Sequence, residues 1–593
     1  MAKEILFSDL GRCFGPEKNL SDKGMRDKWR VIPYRTGQIS GTLLSALNES
    51  FPEDVSFDPQ LTGWYKIYVC LPTYSDQEVN IKLTQDEGFF ELCPLKKEGL
   101  TFTRLEESFW RYAKMDGQSV ILSRKPCSPL WPKTSLLAWL RFVEMTEEEV
   151  AALMAERAQQ ETHNLYLTDD IHNRIYEGNL DAPGYWDGVV CAYEDSDIEW
   201  LSMERITSFI SGHNPDDDTE NFAFPRGGDR NLQQQRHKFD SRKVLGELVK
   251  KGHDRGIKMS LSLRMGAWGI GFPFDQCYFD YPDYLAKPEY NCVLREGVPA
   301  AAWSYAYDEV QQCVIGMLLE MAESGCDAVT LIAHRGLPYV LFEKPVVDRF
   351  RALYGEDPYD LPLEEPRLNA LHCEIMTEFF RKARKALDEA HPDRHVQIHL
   401  RSLYSVYDNK YIGLDTEKLI AEGLIDAVIP YPWRYREVYG PGCILPNGHI
   451  DMEVYKAWVN DPDHQPYFLK GDVEATEDIK GVPQGPANIQ QLVQQWMALE
   501  EKYGVKVYID IMPRIMPPEE IRRRALELYD AGAKRLAMWD TFGRVTVKAM
   551  WGTARKLGHV EALRKGFDTG SRLYILQELA GNNISRYLPV WGG

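Results

Sequence analysis

The sequence predicts an α/β protein, a (β/α)8 TIM barrel with an N-terminal β-sandwich domain, and three observations predict it. Residues 1–146 carry aromatic and β-branched runs broken by Pro, Gly and Asp. The hydrophobic period becomes helical at Thr146. Beyond that point eight short apolar runs alternate with amphipathic segments, the pattern of parallel strands joined by crossover helices, and eight such units imply a closed barrel. The expected division is 1–146 sandwich, 147–562 barrel and catalytic domain, and 563–593 a C-terminal extension that packs back on the body.

In the first part, 63–71, 119–122 and 135–142 read as strands with partial alternation, and a sandwich is their simplest container. The helix that follows starts on Thr146 as N-cap, with Glu147, Glu148 and Glu149 in its first turn and Val150, Leu153, Met154 and Arg157 at helical spacing. The barrel strands are predicted at 164–168, 197–203, 258–263, 327–332, 396–400, 426–429, 506–509 and 535–538. Four are preceded by a Gly placed as a helix C-cap, namely Gly256, Gly325, Gly423 and Gly532. A run at 467–470 competes for the seventh place.

A chain of 593 residues, 44% of them hydrophobic, supplies apolar material for one large core and a smaller one. A net charge of -20 argues against nucleic acid, since phosphate binding needs clustered Lys and Arg. No run approaches the roughly 20 apolar residues of a membrane span, and Met1 to Leu6 lead into polar sequence without a secretory apolar run. A cytoplasmic location is the expectation. Eleven scattered cysteines with no Cys-x-x-Cys pair suit reduced thiols, and the aromatics of the first domain allow a homo-oligomer contact.

Barrel active sites form at the C-terminal ends of the strands, so the residues there are the candidates. They are Asp169 and Asp170 after strand one, Glu204 after strand two, Arg264 and Trp268 after strand three, and His334, Arg335 and Glu343 after strand four. Strand five gives His399 and Arg401, strand six the run from Tyr431 to Tyr435 with Trp433, strand seven Asp510, and strand eight Trp539 and Asp540. Rings that stack on sugar C–H faces, mixed with charged groups that grip hydroxyls, fit a carbohydrate substrate better than phosphate or lipid. Phosphate-loop, Gly-x-Ser-x-Gly and His-Glu-x-x-His motifs are missing, and no cofactor is implied.

The stretch 135–157, Thr168-Asp169-Asp170, the run from His334 to Val347, Tyr354 to Pro358, and Ala537 to Thr541 resemble the family-10-like bacterial glycoside hydrolases. The resemblance spans most of the chain and implies a barrel, a preceding sandwich and glycoside hydrolysis. It departs after strand four, where relatives of this broad group carry an acidic pair and this chain has Ala333-His334-Arg335-Gly336, leaving Glu343 as the nearest acid.

The expected activity is therefore hydrolysis of a small or modest-sized glycoside. Glu343, Asp170, Asp510 and Asp540 form the pool of catalytic carboxyls. Asp169, Glu204, Arg264, Trp268, His334, Arg335, His399, Arg401, Trp433 and Trp539 would bind the sugar. Two other readings compete: a non-catalytic carbohydrate-binding protein on a decayed barrel, and a metal-dependent barrel hydrolase or lyase using Asp169, Asp170, His399 and Asp510.

Overall fold

The computed structural model describes residues 3–95, 102–128, 133–159, 161–170, 174, 178–179, 182–204, 241–266, 288–297, 299–334, 338–362, 365–431, 489–511, 517–539, 541–566 and 571–584. The fold is a parallel barrel with an antiparallel β-sandwich before it.

In the sandwich, strands Glu4–Phe7, Trp139–Glu144, Trp64–Pro72, Arg104–Lys114, Arg572–Leu579, Trp29–Thr36, Ser40–Ala46 and Ser135–Leu137 follow one another across the larger sheet. Its two ends meet, because Ser135–Leu137 and Trp139–Glu144 are separated only by Ala138 and pair with different partners. The sheet thus curls round Tyr34, Leu43, Cys70, Leu136, Trp139 and Leu576. Arg572–Leu579 comes from the far end of the chain and lies between Arg104–Lys114 and Trp29–Thr36. A smaller sheet, Val55–Phe57, Val120–Ser123, Val79–Leu83 and Phe90–Leu92, packs on the larger one, and Ile67, Val69 and Phe142 share a core with Ile81, Leu83 and Leu122.

The helix Glu147–Arg157 opens the barrel part with a full capping box. Thr146 accepts the Glu149 N–H at 3.2 Å, and the Glu149 carboxylate accepts the Thr146 N–H at 2.9 Å. The eight barrel strands are Leu165–Asp170, Ile198–Glu204, Lys258–Arg264, Ala328–Ile332, Gln397–Ser402, Ala427–Pro430, the pair Lys506–Val507 and Ile509–Asp510, and Leu536–Met538. All eight predicted runs are strands; 467–470 lies outside the described residues. Strand seven passes from one neighbour to the other at Tyr508: Lys506–Val507 pairs with strand six and Ile509–Asp510 with strand eight. Strand eight pairs with strand one, which closes the barrel. Gly256, Gly325, Gly423 and Gly532 all have positive φ, as a left-handed C-cap requires.

Strand alternation sorts the side chains into two populations. Leu165, Leu167, Leu201, Met203, Met259, Leu261, Leu263, Val329, Leu331, Ile398, Leu400 and Val428 point outward and are sealed by helices such as Asp308–Glu323 and Pro366–Ala390. Burying each such side chain stabilises the fold by roughly 2 kcal/mol, so the outer jacket holds the barrel together. The inward positions are different in kind. Tyr166, Trp200, Ser202, Ser260, Ser262, Thr330, His399 and Tyr508 fill the interior, and all are at most 2% exposed.

Candidate functional site

The inward column continues to the C-terminal end of the strands, and there the side chains converge. Arg401, two residues beyond His399 on strand five, is fully buried. It forms an ion pair with Asp510 of strand seven and donates to Thr168 Oγ1 of strand one at 3.1 Å. Its guanidinium carbon lies 4.7 Å from the ring centre of Trp539 and 5.4 Å from that of Tyr431, within cation–π range of both. His334, just past strand four, stacks on Tyr431 at 4.2 Å and meets Trp539 edge-on at 5.0 Å. Thr168, His334, Arg401, Tyr431, Asp510 and Trp539 therefore bring strands one, four, five, six, seven and eight to one place.

Beside this group Glu204 of strand two pairs with Arg264 of strand three, whose Nη2 donates at 3.1 Å. Arg544, in the helix Thr541–Thr546, reaches back to the Ile511 carbonyl at 2.7 Å and is fully buried. Asp510 and Glu204 are thus each in contact with a guanidinium, that of Arg401 and of Arg264 respectively.

Of the predicted residues, Asp510, Glu204, Arg264, His334, Arg401 and Trp539 lie in this rim group. Asp170 ends strand one two residues past Thr168, in line with Glu204 of strand two. Trp268, Arg335, Trp433 and Asp540 lie outside the described residues.

Three predicted residues sit elsewhere, each for a physical reason. Asp169 has outward parity, and its carboxylate accepts Arg174 Nε at 2.9 Å, Arg174 Nη2 at 2.5 Å and the Tyr193 hydroxyl, all in the barrel wall. His399 lies one layer beneath Arg401, against Trp200 at 4.5 Å, with Nδ1 3.1 Å from the Tyr166 hydroxyl and Nε2 2.8 Å from Gln397 Oε1; burial pushes its pKa down to about 3. Glu343 precedes the helix Lys344–Tyr354, and its fully buried carboxylate accepts the amides of Leu341, at 2.9 and 3.1 Å, and Val293, at 3.0 Å. Burial lifts Glu343 to about 7 while those amides oppose the rise. It fastens the hairpin of Asn291–Val293 and Pro299–Trp303 to the fourth loop. Of the four residues of the metal reading, Asp169, His399 and Asp510 thus occupy the wall, the interior and the rim. Among the described residues no cluster of three His, Cys, Asp or Glu suits a metal ion.

Thr168, which is not among the predicted site residues, and Tyr431, which opens the run predicted to follow strand six, both belong to the rim group. Counting back two residues from Asp170 identifies Thr168, and Tyr431 is the first residue past strand six.

No family model matches the chain, and no curated protein does, so the family-10-like resemblance has no family match behind it. Solved structures with some similarity include the catalytic domain of a β-amylase from Paenibacillus polymyxa, 8% identical over 68% of this chain and 99% of that one, with a TM-score of 0.41. The glycoside hydrolase domain of PgaB (BpsB) from Bordetella bronchiseptica is 12% identical over 64% and 95%, with a TM-score of 0.37. TtGalA, an α-galactosidase from Thermus thermophilus, is 10% identical over 89% and 94%, with a TM-score of 0.32. All three scores are below 0.5; the barrel is shown by its own strand pairing, strand eight on strand one. No helix among the described residues is long and apolar enough to cross a membrane.

Proposed function

We propose that the chain is a glycoside hydrolase whose sugar rests on the floor made by His334, Arg401, Tyr431 and Trp539. The observation that supports this reading is the convergence on one barrel end of a buried carboxylate–guanidinium pair, Arg401 with Asp510, and two large aromatic rings. Rings bind the apolar faces of a pyranose, and the charged pair orders its hydroxyls. Hydrolysis then needs a proton donated to the glycosidic oxygen by one carboxyl group. A second carboxylate either attacks the anomeric carbon or activates the water that does.

Asp510 takes the ionised role, and Asp170 and Asp540 are the candidates for the acid. Glu343, saturated by backbone amides, serves the fourth loop. A retaining mechanism would separate the working carboxyls by about 5 Å and an inverting one by about 6.5–9.5 Å. Asp510→Asn, Asp170→Asn and Asp540→Asn, assayed on a glycoside that the wild type cleaves, should include at least two variants slowed by about 100-fold or more. Near wild-type turnover in all three would remove the assignment.

One observation favours a second reading, a saccharide-binding protein without turnover: both described inward carboxylates at the rim, Asp510 and Glu204, already have an arginine partner. Calorimetric binding of saccharides with no product across a broad glycoside panel would select it.

A further inference from the structure

Lys548 lies at the seam between barrel and sandwich, in the helix Lys548–Ala554, and is 3% exposed. Just before it the two parts are stitched together, because the Cys93 N–H donates to the Thr546 carbonyl at 2.9 Å and Cys93 bridges to Val547. The Lys548 ammonium is 5.7 Å from the ring centre of Phe90, and Arg111 covers the same ring at 4.9 Å. The other ionisable groups acting on it are Arg555 and the Cys93 thiol.

The neighbouring cations are accounted for without Lys548. Arg111 pairs with Asp86 at 2.8 Å and stands 3.8 Å from Glu194. Arg555 packs on Phe109 and Tyr112 at 5.3 and 5.6 Å and donates to the Asp195 carbonyl at 2.6 Å, while its buried Nε has no hydrogen-bond partner. Among the described residues no carboxylate pairs with Lys548. A buried ammonium beside two guanidiniums with no counter-ion is costly, and it is relieved by losing its proton or by gaining an anion. Burial first, then Arg555 and Arg111, hold this amine down at about 7, so its neutral, nucleophilic form is populated at neutral pH.

We propose that Lys548 is a carbamylation site, where the amine adds carbon dioxide and the resulting carbamate places a negative charge where Lys548 and Arg111 share the Phe90 ring. The nitrogen lone pair forms a bond to the carbon of CO2, one C=O π pair moves onto oxygen, and one N–H proton leaves to buffer. No oxidation or reduction occurs, and the side chain goes from neutral to singly negative. Carbon dioxide is small and apolar enough to reach a group at this depth. The addition is reversible, so the charge of the seam follows dissolved CO2, and the adduct gains with rising pH as the amine loses its proton.

The test uses the full chain in mildly alkaline buffer with isotopically labelled bicarbonate. Carbon NMR should show one protein-bound carbamate signal, and trapping with a trialkyl oxonium reagent followed by peptide mapping should place one ester on the peptide containing Lys548. Both should vanish in CO2-free buffer and in Lys548→Met, which keeps the side-chain volume. If that variant does not fold, the peptide map of the wild type decides alone. An unmodified Lys548 peptide at saturating bicarbonate overturns the proposal, as does a signal that survives in folded Lys548→Met.

Discussion

Arg401 and Asp510 form a buried ion pair whose members are far apart in sequence, and its energetics are asymmetric. Two charges taken out of water cost much of what their attraction returns, so the pair adds little net stability, yet removing one partner strands the other. Arg401→Ala is expected to cost about 3–5 kcal/mol in urea unfolding, and Arg401→Met with Asp510→Leu should recover most of it. A double variant as unstable as the single would show that the arginine acts by packing alone. The buried titratable groups predict a pH signature of mixed sign. His399 moves from 6.5 in the unfolded chain to about 3, and His372, also by burial, from 6.5 to about 4. The unfolded chain binds the extra protons in those windows, so both contributions grow as pH rises toward 6.5 and are lost on acidification. Glu343 moves the other way, from 4.5 to about 7, so the folded state keeps its proton longer and that contribution shrinks across pH 4.5–7. Between pH 4.5 and 6.5 the wild type should gain stability with pH, His399→Gln should be nearly flat, and Glu343→Gln should be steeper, all read from urea unfolding at each pH. An unchanged slope in His399→Gln would mean that its imidazole is charged in the folded protein.

At the scale of elements, the helix Glu147–Arg157 shows how much was legible in advance. Thr146 and three acids before an apolar period predict a capped start, and the structure has both reciprocal bonds of the capping box. Thr146→Ala should lower stability by about 1 kcal/mol, seen as a shift of the urea midpoint with no change in m. Glu149 also reaches Lys66 of the sandwich at 2.6 Å, but both side chains are over a quarter exposed, so Lys66→Ala should cost less than Thr146→Ala. The barrel strands were legible because a buried parallel strand is a short apolar run followed by a helix. The strand Arg572–Leu579 was harder to foresee. Its Leu573 and Ile575 are exposed at 47% and 61%, and its place between two strands of the first domain is decided by pairing partners more than 400 residues away.

At the scale of the whole molecule, barrel and sandwich meet at a seam too tight for side chains. A Cβ on Gly88 would stand 2.1 Å from the backbone nitrogen of Gly188 and 2.2 Å from the Gly184 oxygen. Gly88→Ala must push two backbones apart, at an expected cost of about 1–3 kcal/mol, whereas Gly24→Ala, where nothing lies within 4 Å, should stay within about 0.5 kcal/mol. Equal midpoints for the two variants in urea would show that the seam yields freely. The same seam carries Lys548 and its two arginines, so its packing and its charge are set together. By itself the sequence determined the barrel, its eight strands and the caps between them, because hydrophobic period and cap chemistry are local. Only the tertiary structure decided which acids at the strand ends turn inward, because one step of strand parity sends Asp169 into the wall while Thr168 joins the rim. Only the closed barrel, too, could bring Arg401 against Asp510, Tyr431 and Trp539, since that meeting depends on strand register around the cylinder and on no feature of any one segment.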